Sequence, residues 1–223
     1  MGYTNALKGI KKIFIAQIIA IIVTLLTAGT TLMFNVTKEF FDEEATILSN
    51  PFGVAGVSLS FVSVMMMGLM TVFGIIGSFQ ASRNEPEFKK SLMCCVAVGV
   101  LSFIGSFFQI PNGTLYTIFV SAGMIVEMFV MIFAISGIIN LAVNCERADV
   151  AEKGDRVMRI LVGIYLISAI DTLIFRIFAL SDHSQIVSLI VGAVDLILNV
   201  VQYIVYLKYL KQAFIMLQSL DGE

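Results

Sequence analysis

The chain is poor in charge. Charged residues make up 13% of its 223 residues, hydrophobic residues make up 58%, and the mean hydropathy is +0.95. Soluble domains carry about 25% charged residues. A soluble fold of this length cannot hide so much apolar surface, so we expect the lipid bilayer to be its solvent. The net charge is −2 and the sequence contains no basic tract, which argues against nucleic acid as a partner.

Histidine is nearly absent, and this excludes several kinds of catalytic site. The single histidine, His183, lies in the stretch SDHSQ between two apolar runs. A Ser–His protease, an HExxH metalloenzyme and a histidine metal cluster are therefore excluded. An intramembrane aspartyl protease needs two facing aspartates, but GAVD and AID around Asp195 and Asp171 depart from the Gly-x-Gly-Asp and Tyr-Asp motifs of that family. We expect no enzyme activity, no metal and no cofactor.

Proline is also rare, and its three occurrences all fall between long apolar stretches, where a missing N–H costs little. A bilayer core about 30 Å thick needs roughly 20 apolar residues per helix. Six stretches reach that length: 13–34, 53–79, 91–110, 115–143, 160–180 and 186–207. The sequence predicts an all-α fold, a polytopic integral membrane protein whose single domain is a bundle of six transmembrane helices.

Basic residues are distributed unevenly between the two sides of this bundle. Twelve of the 14 lysines and arginines fall on the side of both termini, the exceptions being Lys38 and Arg176. Because cytoplasmic loops are enriched in Lys and Arg, both termini are predicted to be cytoplasmic. The three cysteines then lie near the reducing side, so no disulfide is expected. The first apolar run is too long for a cleaved signal peptide, and we expect the plasma (cytoplasmic) membrane of a bacterium.

Three acids lie near the middle of consecutive spans. Glu127, Asp171 and Asp195 occupy the fourth, fifth and sixth stretches, and Arg176 is the only base inside a span. A charged side chain at the bilayer centre costs at least about 2.5 kcal/mol, so it usually has a partner or a function. One base cannot neutralise three acids. At least two carboxyls are then expected to be protonated and hydrogen-bonded to neighbouring polar side chains.

Two interpretations of these acids stay open. In one, they are neutral contacts that fix the register of the helices. In the other, they form a midplane site for a proton, a cation or a small solute in a transport-type protein. In that second hypothesis the site also contains Asn199 and Gln202 as neutral ligands, and Arg176 as an outer gate or charge partner.

A different class of function is a non-catalytic accessory, immunity or regulatory subunit of another membrane complex. The contact surfaces expected for such a partner are the basic fourth loop, NCERADVAEKGDRVMR, and the C-terminal extension, LKYLKQAFIMLQSL. The extension carries apolar residues on one face and is predicted either to lie on the inner leaflet or to anchor the last helix.

The chain resembles the substrate-binding membrane subunits of energy-coupling-factor vitamin transporters. It shares with them six helices, cytoplasmic termini and a small-residue tetrad in the first helix, here Ala16-x-x-x-Ala20. The resemblance covers topology and one spacing. It implies that the small-residue tetrad docks another transmembrane subunit.

Small and polar residues recur at three- and four-residue spacing in every span, as in membrane helices that pack closely. We expect the stripes that contain Thr24, Ser63, Ser102 and Asn199 to be buried between helices. Larger apolar side chains should face lipid.

Overall fold

A computed structural model describes residues 3–40, 50–107, 113–178 and 184–221. Within these ranges, side chains are described except at 34–40, 106, 113–117, 120, 169, 171–178, 184–191 and 221. The described part is all-helical and contains six helices and no strand: α1 (Thr4–Phe40), α2 (Pro51–Ala81), α3 (Glu87–Ser106), α4 (Gly113–Asn144), α5 (Ala148–Phe178) and α6 (Ser184–Asp221).

Each helix overlaps one of the six apolar stretches, and four helices contain their stretch entirely; 91–110 and 160–180 extend past the described ends of α3 and α5. Five segments are long and apolar enough to cross a membrane: Thr4–Met33, Pro51–Ala81, Glu87–Gly105, Ser121–Asn144 and Gly192–Leu220. The search covered only the described residues, and α5 is outside this set. Its first three turns are highly charged, and its side chains from 171 onward are not described. The chain is therefore a multi-pass membrane protein with at least five candidate spans.

The six helices are arranged in a closed order. Each packs against the next along the chain, and α6 packs against α1, while α4 and α6 touch only slightly. Short polar contacts fix neighbouring pairs. The hydroxyls of Thr27 and Ser63 are 3.1 Å apart between α1 and α2. Ser91 Oγ donates to the carbonyl oxygen of Val130 at 3.0 Å between α3 and α4.

The closest approach joins α1 and α2 and depends on two glycines. A Cβ atom on Gly77 would lie 2.8 Å from the carbonyl oxygen of Gly9 and 2.9 Å from the backbone nitrogen of Ile13. A Cβ on Gly9 would in turn lie 2.6 Å from the Gly77 carbonyl. Only glycine lets the two backbones meet at this distance.

The buried core lies at one end of the bundle, which we call the basic end: the beginnings of α1, α3 and α5 and the ends of α2, α4 and α6. Ile135, Leu161 and Leu210, on three different helices, are at most 2% exposed. Elsewhere large apolar side chains face outward, and Phe61, at 68% exposure, is an example. This pattern fits a bundle whose outer surface is covered by lipid.

Two predicted surface segments have different structures from those expected. The fourth loop is mostly helix, because α4 ends at Asn144 and α5 begins at Ala148. Its short turn places Glu146 in the left-handed region at φ 57°. The C-terminal extension continues α6, and Leu210 and Leu217 are both fully buried in the core. The leaflet-bound interpretation is therefore wrong, and the anchoring role is the one observed.

The stripe prediction holds only in part. Ser63 is buried, and Thr24 and Asn199 are half-buried, but Ser102 on α3 is exposed. Ala16 and Ala20 are each 3% exposed. The tetrad is thus packed inside this chain and is not an open docking surface for another subunit.

Candidate functional site

A cavity of about 90 Å³ lies between α4, α5 and α6. Polar groups dominate its wall, which contains two carboxyls, two carboxamides, two phenols and one hydroxyl. The lining residues are Met124, Glu127, Tyr165, Ser168, Asp195, Asn199, Gln202 and Tyr203. Among these described lining residues there are two acids and no lysine or arginine.

Four of the six residues predicted for the site line this cavity: Glu127, Asp195, Asn199 and Gln202. Asp195, Asn199 and Gln202 follow one another at helical spacing on α6, so a single face of that helix presents all three. Glu127 reaches the same level from α4. Asp171 and Arg176 belong to α5, but their side chains lie outside the described residues, and their places in the site stay predictions.

The two carboxamides are held in one orientation by their partners. Gln202 Nε2 donates to the phenol oxygen of Tyr165 at 3.1 Å and to the sulfur of Met131 at 3.5 Å. Asn199 Nδ2 donates to the backbone carbonyl oxygen of Asp195 at 2.8 Å. A thioether sulfur and a carbonyl oxygen accept hydrogen bonds and cannot donate them. Each amide must therefore place its nitrogen at these partners.

This orientation leaves the amide oxygens available. No described residue donates a hydrogen bond to Asn199 Oδ1 or Gln202 Oε1. Gln202 is only 3% exposed and lines the cavity. Buried carbonyl groups are normally hydrogen-bonded. Together with the carboxyl oxygens, the cavity is rich in acceptors and poor in donors.

Glu127 adds to this imbalance. It is half-buried, and among the described residues nothing donates a hydrogen bond to its carboxyl or forms an ion pair with it. Tyr165 donates its hydroxyl hydrogen to Met131 Sδ at 3.7 Å, away from the carboxyls. A positively charged or donor-rich occupant is what this arrangement of oxygens would stabilise.

The cavity is closed toward the basic end. Met131, Tyr165 and Gln202 contact one another at its floor. Directly behind them along the helices lie Ile135 and Tyr206, which are 0% and 1% exposed. These contacts separate the cavity from the packed core at the basic end.

Several lining residues were not predicted as part of the site. Tyr203 lies four residues after Asn199, and Met124 lies three residues before Glu127, so both were recoverable from helical spacing. Met131 carried no signal, because a methionine in an apolar helix usually only fills space. Tyr165 and Ser168, three residues apart on α5, also line the cavity.

Protein-family models, curated proteins and solved structures were all compared with the chain, and none of them matches it.

Proposed function

We propose that the protein is a small transport-type membrane protein that binds a proton or a small cation in the cavity between α4, α5 and α6. The single observation that carries the proposal is the cavity itself, in which the carboxyls of Glu127 and Asp195 share one polar space. Burying acids in a membrane is costly. Binding a positive charge offsets that cost, which packing alone would not do.

The volume of the cavity supports a small occupant. Sites for drug-sized molecules measure about 300–1,000 Å³, whereas this cavity measures about 90 Å³. In transporters, sites of this kind lie at helix interfaces and open alternately to the two sides of the membrane. We propose that the chain crosses the bacterial plasma membrane six times, with both termini in the cytoplasm. In this topology the floor formed by Met131, Tyr165 and Gln202 is the barrier on the cytoplasmic side of the cavity.

Flux measurements in proteoliposomes test this proposal. Wild type should carry protons or monovalent cations down an imposed gradient, and Asp195→Asn should fold normally but lose the flux. Folding is checked by size-exclusion chromatography and thermal unfolding. The matched control is Asp155→Asn, which removes an exposed carboxyl from the charged start of α5 and should leave the flux unchanged. If folded Asp195→Asn carried the same flux as wild type, or if neither protein carried any, the proposal would be wrong.

The second candidate is a non-catalytic accessory, immunity or regulatory subunit. One observation favours it: Thr71 on α2 and Gly99 and Ser102 on α3 are exposed on the outer surface, although small and polar residues in membrane helices usually mark an interface. Co-purification of a second membrane protein from mild detergent, lost in Gly99→Leu, would support that candidate.

A further inference from the structure

Three neighbouring helices share one pattern on their outer faces: exposed cations at the basic end, in line with exposed apolar side chains. Residues spaced by three, four or seven positions lie on one face of a helix, so each set forms a column along the outer surface. In α1 the column contains Lys11, Ile18, Ile22 and Leu25; in α2 it contains Leu69, Val72, Ile76 and Phe79 and reaches Arg83 just after the helix; in α6 it contains Ile197, Val201, Ile204, Lys208 and Lys211.

The cations of these columns form no ion pair with a described acid. The first three turns of α1 contain Lys8, Lys11 and Lys12 and no acid. At the starts of α3 and α5, by contrast, described side chains form the ion pairs Lys90–Glu87, Arg147–Asp149 and Arg156–Glu152. Residues 148–159 contain three acids and three bases. The basic end therefore has a positive sector at α6, α1 and α2 and a balanced sector at the start of α5.

A lipid matches both parts of a column. Lys and Arg near a membrane surface extend their charged ends toward the headgroups while their methylene groups cover apolar surface, and anionic headgroups attract them. Arg83 has this arrangement, since its guanidinium carbon lies 5.3 Å from the centre of the exposed Phe79 ring. The acyl chains of a lipid held at such a cation would lie along the apolar residues of the same column.

We propose that the positive sector binds anionic phospholipid, with phosphate groups at Lys11, Arg83, Lys208 and Lys211 and acyl chains along the three columns. A zwitterionic lipid fits the apolar part but brings no net negative charge, and a soluble anion contacts the cations alone. None of these four residues lines the cavity, so the lipid site does not depend on the proposed transport.

Thermal unfolding of the purified protein in mild detergent tests the proposal. The midpoint is compared after addition of phosphatidylglycerol, phosphatidylcholine with the same acyl chains, or inorganic phosphate. At about ten times its dissociation constant, phosphatidylglycerol should raise the midpoint by about 3–6 °C more than phosphatidylcholine does. High salt should remove most of this difference, because the cations are exposed and therefore screened.

A triple variant shows where the anionic lipid binds. Lys11→Gln, Lys208→Gln and Lys211→Gln, combined in one protein, should lose at least half of the additional rise given by phosphatidylglycerol. All three side chains are exposed, so the variant should fold like wild type without lipid.

The matched control removes the same number of positive charges from the balanced sector. Lys153→Gln, Arg156→Gln and Arg159→Gln, combined in one protein, change exposed side chains of α5 and should retain the full response to phosphatidylglycerol. A loss that followed from total charge alone would be equal in the two triple variants.

Four outcomes would overturn the proposal: equal stabilisation by the two lipids, a full response in the α1–α6 variant, an equal loss in the α5 variant, or the same rise with inorganic phosphate alone. The last result would identify a site for a free anion and reject the lipid. Flux plays no part in this measurement, so binding of the lipid without transport, or transport without binding, separates this proposal from the proposed function.

Discussion

At the scale of single residues, glycines set how closely two helices approach, and carboxamides set which hydrogen-bonding groups the cavity wall presents. Gly77 is buried against the backbone of α1, whereas Gly74, one turn earlier on the same helix, has nothing within 4 Å of the place where a Cβ would stand. The two positions have the same residue type and helical environment. They differ only in what the side-chain position would contact.

This pair gives a prediction about stability. Gly77→Ala should lower the free energy of unfolding by about 1–3 kcal/mol, because the new methyl group meets backbone atoms that cannot move aside separately. Gly74→Ala should be neutral or stabilising by up to about 1 kcal/mol, since alanine is the better helix former. Unfolding in mild detergent measures both. Equal effects of the two substitutions would mean that α1 and α2 do not meet at Gly77.

At the scale of helices, the last turns of α6 distinguish a core element from a membrane-surface element. Leu217 is fully buried, and Ile215, two residues earlier, is 54% exposed. The hydroxyl of Tyr209, in the same segment, lies so close to Gly154 of α5 that a Cβ atom on that residue would clash with it. The end of α6 is therefore part of the core at the basic end.

Substitutions in this segment should have unequal effects. Leu217→Ala should cost about 2–5 kcal/mol of stability, because it leaves a cavity between helices. Ile215→Ala should cost less than about 0.5 kcal/mol, as for other exposed positions. Chemical unfolding of the two variants beside wild type provides the comparison. If Ile215→Ala were the more damaging variant, the assigned face of α6 would be reversed.

The sequence predicted the six helices found in the described residues because long apolar runs are a strong signal, and five of the predicted spans are long and apolar enough there to cross a membrane. It did not predict the helix boundaries. Residues 148–159 form the start of α5, but they are charged, so a search for long apolar runs does not find them. Asp195, Asn199 and Gln202 were grouped because their spacing puts them on one face. Ser102 was misplaced, because the spacing of small residues defines a face but not whether another helix covers it.

At the scale of the whole molecule, the bundle is asymmetric. Its basic end is a packed core, and the polar cavity lies beyond that core, from about 8 Å (Tyr203) to about 20 Å (Asp195) along α6 from Lys208. A floor of three contacting side chains separates the two regions. Access to the cavity from the two sides of the membrane is the property that separates the transport interpretation from the packing interpretation.

Labelling of a single cysteine at Ser168 measures that access most directly. Ser168 is 7% exposed and lines the cavity, and the three native cysteines, all free, are first replaced by serine. Ser168→Cys is treated with 2-aminoethyl methanethiosulfonate, a small cationic reagent, in right-side-out and inside-out membrane vesicles. Lys153→Cys, exposed at the basic end, reports which side is cytoplasmic. We predict that Cys at 168 reacts only from the side opposite the basic end, and more slowly in the presence of the transported ion. A folded protein whose residue 168 reacted from neither side, or from the basic end, would contradict the account.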